Sequence, residues 1–276
     1  QSFGGATEQG YYGIGYQFSA VSLLATISFL NIFWKEIAEA HHQRDLARMG
    51  SLYKRAIRFL FLFAAIFSGF LIPWAEDLLF FMLGAPYVSG AVTLTIMLLY
   101  PVHQSIGHII ATMLLATERV SLQVISGTTL MIVSMGMTYL VLAPKDALVP
   151  GLAMASEGLA LKMVLMQFIQ VTVMGYVISR IWSWRFDWLH QQVSFLCCLV
   201  LGWAVHYLVA NTLTPNLSCE TRSCFSLPLE MGLAGVVYVI LIAGFLYRLP
   251  WLAGMTRDEI IYYLSRARGT IRSWNR

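Results

Sequence analysis

The chain has 276 residues, of which 58% are hydrophobic and only 12% charged, with a mean hydropathy of +0.68. Soluble domains carry about 45–50% apolar and roughly 25% charged residues, so a soluble enzyme and a disordered chain are both excluded. The net charge of +4 is small, and the informative question is where the positive charges lie.

A helix needs ~20 largely apolar residues to cross the ~30 Å hydrocarbon layer of a bilayer. Seven stretches meet this length, at about 10–34, 58–80, 91–115, 121–142, 151–179, 192–212 and 230–247. They are read as helices because only helices and closed barrels satisfy their backbone groups inside lipid. A barrel requires alternation of apolar and polar residues, and Phe59 to Phe67 is apolar in both parities. The expected fold class is all-α: a polytopic membrane bundle of about seven helices over 1–250, with a basic amphipathic tail over 251–276.

Asn31, late in span one, is read as interhelical glue rather than a ligand. The charged connector from Lys35 to Arg58 carries Ile37, Leu46, Met49, Tyr53 and Ile57 near helical spacing, which predicts a helix lying along the membrane surface. His42 and Asp45 in that connector share a face, so a metal is conceivable there. A solvated basic face near anionic lipid is the plainer reading. Span three carries Pro101, His103, Gln104, Gly107 and His108. Pro101 removes a backbone hydrogen bond and predicts a kink, and Gln104 and His108, four apart, share a face. They read equally well as a polar lining or as interhelical glue.

Span five contains Lys162, the one cation inside a predicted span. An ionisable group at that depth defaults to a watery cavity or the bundle interior. Gln170 lies about 80° round the helix from it, so the two are expected to line one cavity, with Glu157 and Gln167 elsewhere on the wheel. Snorkelling, or a structural pair with Glu157, is the plainer alternative. In span six, His206 reads as glue and Cys197 and Cys198 as packing residues. Cys219 and Cys224 in the following loop are compatible with a disulfide or with two free thiols. In the tail, Thr256 to Glu259 fits a capping box before the stripe Ile260, Ile261, Leu264, Ala267 and Ile271, an interfacial helix pattern.

The connectors sort by charge. Fifteen of the eighteen Lys and Arg residues fall on one side, two (Lys145 and Arg222) on the other, and Lys162 within a span. This predicts an outside N-terminus and a cytoplasmic C-terminus in a plasma (inner) membrane. The chain opens at Gln1 without a signal-peptide pattern, which leads to the expectation of a fragment with further spans upstream. No nucleophile–base pair, zinc motif, phosphate loop or nucleotide fingerprint is present. The expectation is a protein that is not an enzyme, uses no cofactor or metal and binds no nucleic acid, leaving transport, signalling or scaffolding.

Gly10 to Tyr16 leading into a span resembles the opening of a helix in the C-terminal lobe of Wzx-type polysaccharide flippases, within the multidrug/oligosaccharidyl-lipid/polysaccharide exporter superfamily. The run from Ile72 to Ala91 is similar to that family's Pro, apolar helix end, Gly and Tyr of a short outer turn, and small residue opening the next span. Gln104 and Ala116 to Arg119 also resemble that lobe, and the likeness covers about 8–180. The chain departs from the pattern at Asn31 to Trp34, where the family usually shows a Pro, and at Glu118, where it usually has a Gly.

The resemblance implies two helical lobes around a cavity, this chain supplying helices eight to fourteen beside an N-terminal lobe. It implies alternating access and a lipid-linked oligosaccharide moved from the inner to the outer leaflet among membrane lipids. Lys162 then suits the anionic part of the substrate, and Gln104, His108, His103, Gln170 and Glu157 are the remaining candidates for substrate contact. A multidrug/cation antiporter of the same superfamily is the nearer rival, needing membrane carboxylates, of which Glu157 is the one near the required depth. A seven-span receptor ranks lower, because span seven lacks an Asn-Pro-x-x-Tyr pattern and span six a Trp-x-Pro hinge.

Overall fold

The computed structural model describes residues 5–184, 187–213 and 226–253. Among them are nine α-helices and no strands: α1 (Gly5–His42), α2 (Leu46–Leu71), α3 (Ala75–Leu83), α4 (Ala91–Met97), α5 (Tyr100–Ala116), α6 (Val120–Leu142), α7 (Ala155–Trp182), α8 (Trp188–Leu213) and α9 (Ser226–Arg248). Six helical units are long and apolar enough to cross a membrane, and α1, bent by 43° between Gly5–Leu24 and Thr26–His42, makes a seventh. The protein is an all-α polytopic membrane bundle.

Two of the spans are broken, each near a proline. Pro73 lies in a 3₁₀ turn, Ile72–Trp74, that joins α2 to α3 within one span, Leu46–Leu83. Pro101 stands in the first turn of α5, just after α4 has ended at Met97, where its missing N–H costs least. Gly84, at φ 90°, ends α3 in a backbone conformation that side chains disfavour and leads into the 3₁₀ turn Ala85–Gly90.

The connector 35–58 corrects the sequence-based expectation. It is not a surface helix. The second half of α1 runs on from Thr26 to His42, the chain reverses over Gln43–Asp45, and α2 starts at Leu46. Arg44 takes a left-handed φ of 57°, and Asp45 caps α2 by accepting from Arg48 N at 2.9 Å. Ile37, Met49, Tyr53 and Ile57 are buried because they face neighbouring helices rather than a bilayer surface. Leu46 alone of that stripe is exposed.

α2 is the hub. It packs against α1, α5 and α8, while α5 packs on α1 and α7, and α7 reaches α4 and α6. The main core gathers Ile37, Met49, Leu60, Phe61, Trp74, Ile106, Ile109, Met113, Val171 and Tyr238. Polar contacts stitch the crossings. The Tyr238 hydroxyl lies 3.1 Å from both Ile66 O and Cys198 O, tying α9 to α2 and α8. The Ser19 hydroxyl lies 2.6 Å from Met97 O, tying α1 to α4. Cys197 and Cys198 are free thiols within α8. Cys219, Cys224 and the tail over 254–276 lie outside the described residues.

The ends of the bundle differ in charge. Lys35, Arg44, Arg48, Lys54, Arg55, Arg58, Arg119, Arg180 and Arg248 gather at one end, called the basic end below, and Lys145 is the one cation at the other among the described residues. At the basic end Arg48 pairs with Glu36 at 2.7 Å and Glu39 at 3.5 Å, and Arg58 pairs with Asp187. These are partly exposed, solvent-screened pairs that contribute little each. An aromatic layer lies with them. Trp182 stacks on Trp184 at 5.5 Å, Trp184 meets Tyr53 at 5.6 Å, and the Arg119 guanidinium sits 5.4 Å over the Trp182 ring. Such belts mark a membrane–water boundary.

α2 and α8 approach so closely that a Cβ on Gly202 meets Gly69 O at 2.0 Å, and one on Gly69 meets the Cys198 backbone at 2.8 Å. Gly202→Val is therefore expected to part the two helices at a cost of about 1–3 kcal/mol or more, read as a lowered Tm in detergent. Glu118, exposed at the start of the α5–α6 turn, holds a left-handed φ of 60°. Glu118→Gly is expected to raise stability by about 0.5–1 kcal/mol, and an unchanged or lower Tm counts against strain at this turn.

Candidate functional site

α6 stands apart from the bundle. Val141 is its one buried residue among those described, and its contacts run to α7 and, less, to α5. Between the three helices lies a cleft of about 460 Å³, within the range of about 300–1,000 Å³ usual for ligand sites. α5 lines it with Tyr100, Gln104, Gly107, His108 and Ala111. From α6 come Gln123, Gly127, Leu130, Met131 and Ser134, and from α7 Met163, Met166, Gln167 and Gln170.

Each helix presents its lining residues at three- and four-residue spacing, so each contributes one face. The far end of the cleft is closed where α6 meets α7. A Cβ on Gly158 meets Val141 Cγ1 at 2.4 Å, and one on Gly151 meets Ala143 O at 2.3 Å. The connector adds hydrogen bonds from Leu152 N to Leu140 O (2.8 Å) and Met154 N to Val141 O (3.0 Å). α6 lines the cleft from its half nearer the basic end, whereas the lining residues of α7, Met163 to Gln170 within Ala155–Trp182, lie at mid-helix, so the cleft sits in the middle of the bundle.

The lining is polar and uncharged. Four glutamine amides, an imidazole, a tyrosine and a serine share it with apolar groups, and no Lys, Arg, Asp or Glu is among the residues that line it. Gln104 Nε2 lies 3.2 Å from His108 Nε2. With the amide nitrogen donating, the imidazole accepts at Nε2 and carries its proton on Nδ1. Each amide brings two donors and an acceptor, the complement of a hydroxyl-rich ligand.

The sequence candidates divide. Gln104, His108 and Gln170 meet in this cleft. Gln167, on another part of the wheel from Lys162, joins them because it is three residues from Gln170. Lys162 is not among the lining side chains. It is half-buried on α7, next in the chain to Met163 and one turn from Met166, and has no ion-pair partner among the described residues. His103 points elsewhere, its ring edge-on to Phe168 at 5.3 Å. Glu157 is exposed in the first turn of α7.

His206 packs edge-on to Trp74 at 4.6 Å, with Nε2 3.8 Å from Asp77 Oδ2, a contact between α8 and α3. Asn31 lines a second cavity of about 490 Å³ with Leu30, Trp34, Lys35 and Thr112. His41 and His42 form the last turn of α1, and no group of three His, Cys, Asp or Glu side chains among the described residues is placed to hold a metal. Sequence reasoning missed Gln123 and Ser134. The available signal was the spacing of Gln123, Gly127, Leu130 and Ser134 along one face, diluted by Ser126, Thr128, Thr129 and Thr138 on the rest of the helix.

What the fold and the cleft define is a class, a polytopic helical membrane protein with a neutral polar cleft inside the bundle. No family model, no curated protein and no solved structure matches the chain.

Two glycines of the cleft differ in what surrounds them. A Cβ on Gly107 meets Gln167 Nε2 at 2.6 Å, whereas one on Gly127 meets nothing within 4 Å. Gly127→Ala is expected to raise stability by about 0.5–1 kcal/mol through helix propensity. Gly107→Ala is expected to forfeit that gain by displacing the buried Gln167 amide. Thermal unfolding of both variants checks this, and equal shifts would show that the amide is not held where the structure has it.

Proposed function

We propose that the chain is a helical lobe of a polysaccharide-biosynthesis membrane transporter, a flippase that moves a lipid-linked oligosaccharide from the inner to the outer leaflet by alternating access. The observation that carries this reading is the cleft. A neutral wall of four amides, an imidazole and hydroxyls within a membrane bundle has no use for lipid tails, which cannot hydrogen-bond. It suits a hydroxyl-rich sugar.

The charge asymmetry supports the direction. Positive residues favour the cytoplasmic side, so the basic end is the side from which a substrate made in the cytoplasm would enter. Lys162, next in the chain to Met163 of the lining and without an ion-pair partner among the described residues, is the α7 cation suited to a phosphate or acidic sugar. A site for a cationic drug fits less well, since the cleft lining holds neither Asp nor Glu. Glu157 is exposed, and the buried carboxylates Asp77 and Glu230 belong to α3 and α9.

The test is export of surface polysaccharide by cells whose only copy of the full-length protein carries each substitution, with membrane insertion measured alongside. Gly127→Trp fills the cleft from a position where the backbone has room, and is expected to abolish export while inserting normally. Gln104→Leu with Gln170→Leu removes two hydrogen-bonding amides at about 1 kcal/mol each, expected to lower export roughly tenfold or more. Lys162→Ala is expected to lose export, and Lys162→Arg to retain more of it. Normal surface polysaccharide in the inserted Gly127→Trp protein would sink the flippase reading.

A further inference from the structure

On the α1 side of α5 lies the second cavity, about 490 Å³, between Leu30, Asn31, Trp34 and Lys35 of α1 and Thr112 of α5. Its depth follows from the α1–α2 turn. Lys35 and Tyr53 lie equally far from Arg44, the middle of that turn, on antiparallel helices. Lys35 therefore stands level with Tyr53, which packs on Trp184 in the aromatic layer, and such a layer marks the membrane–water boundary. Asn31 shares a face with Lys35 one turn deeper. Ile27 and Leu24, both apolar and more than half exposed, continue that side of α1 into the span.

The polar groups of this cavity are unspent. Among the described residues, the Asn31 amide, the Trp34 indole N–H and the Lys35 ammonium make no hydrogen bond or ion pair within the protein. Glu36 and Glu39, the carboxylates nearest Lys35 in the chain, are taken by Arg48 at 2.7 and 3.5 Å. Thr112 is only 8% exposed, and its hydroxyl likewise has no partner among the described residues. A buried hydroxyl without a partner costs free energy. With a cation, an indole N–H, an amide and a hydroxyl converging, the cavity offers mainly donors, and its complement is an anion with several acceptor oxygens.

We propose that this cavity binds the headgroup of an anionic phospholipid from the leaflet at the basic end, with an acyl chain lying along Ile27 and Leu24. The Lys35 ammonium meets the phosphate as a point charge. Trp34, apolar in body and polar at its tip, lies at the headgroup level, and the Asn31 amide and Thr112 hydroxyl serve the ester oxygens one turn deeper. Charge selects the lipid class. The cations gathered at this end attract anionic lipid, and the lining holds no carboxylate to meet the ammonium of a zwitterionic head. A free phosphate would use Lys35 in the same way, but nothing in it would use the apolar stripe that runs from the cavity into the span. The site stands whatever the cleft between α5, α6 and α7 takes.

Photo-crosslinking of the full-length protein in phosphatidylcholine nanodiscs tests it. The probe is a trace of phosphatidylglycerol carrying a diazirine in its acyl chain, compared with the same probe built on phosphatidylcholine, and labelling over residues 20–35 is mapped by mass spectrometry. The phosphatidylglycerol probe is expected to label this segment several-fold more strongly. Lys35→Ala is expected to lower that labelling about fivefold, the size of one cation against an anionic lipid surface. Thr112→Val is expected to lower it about twofold or more, one neutral hydrogen bond. Lys54→Ala, which removes a charge from the same end but outside the cavity, is expected to leave it unchanged, as is millimolar inorganic phosphate. Labelling abolished by phosphate would make a soluble anion the ligand and overturn the proposal. Equal loss in Lys54→Ala and Lys35→Ala overturns it too. So does equal labelling of the wild-type protein by the two probes, a measurement that needs no variant to fold.

Discussion

Lipid cannot hydrogen-bond, and the rest of this structure follows from that. Each helix closes its own backbone, and burial of apolar surface gives helices no preference for one another over lipid tails. Association must come from close approach and from the few polar groups that cross between helices. Both are concentrated on α2. Gly69 and Gly202 bring α2 and α8 into backbone contact, and Tyr238 bridges α9 to the carbonyls of Ile66 and Cys198. On the other flank, Ser19 reaches Met97 O, where Gly15 leaves room for the Met97 side chain. These contacts use small residues or a single hydroxyl, so they hold α1, α2, α4, α8 and α9 closely without charged groups in the hydrocarbon.

α6 breaks this pattern. It is held at the end opposite the basic end by Val141 against Gly158 and by the hydrogen bonds of the connector. Near the basic end Leu122 packs on the core and Arg119 lies over Trp182; between the two ends α6 stands off, leaving Gln123 and Ser134 facing Gln104, His108, Gln167 and Gln170 across a gap. Uncompensated amides in hydrocarbon are costly, at about 2–7 kcal/mol each depending on the reference. That gap is stable only when water or a polar ligand fills it. Ile125, Ile132 and Met135 on the exposed side of α6 are apolar, so one helix separates a wet cleft from lipid.

The spans were legible because their signal is composition and length, which no neighbour alters. The basic end was legible for the same reason. The connector 35–58 was half legible. Its stripe of Ile37, Met49, Tyr53 and Ile57 declared an amphipathic helix, but a stripe buried against protein and one buried against a bilayer surface read alike. The cleft was legible where polar residues share one helix face, as with Gln104 and His108. Pairing Gln170 with Gln167 rather than Lys162 was not, because a helical wheel gives angles within a helix and not the flank on which the next helix stands. The bond between Glu8 and Ser156 joins residues 148 apart, and no local pattern encodes such a pairing.

The two ends of the bundle resist opening by different means. At the basic end, Arg119 over Trp182 joins the start of α6 to the end of α7, and cation–π contacts of this kind contribute about 0.5–2 kcal/mol. At the other end the charge-assisted hydrogen bond between Ser156 and Glu8, of about 1.5–3 kcal/mol, works against two left-handed alanines, Ala153 and Ala155, each costing roughly 1–2 kcal/mol. The contacts named at the two ends are thus of comparable size, each within reach of one ligand. For a transporter of the kind proposed above, this is the physical requirement for alternating access. If one end were sealed by many kcal/mol more than the other, a substrate in the cleft would need a correspondingly large difference in affinity between the two states to shift the equilibrium.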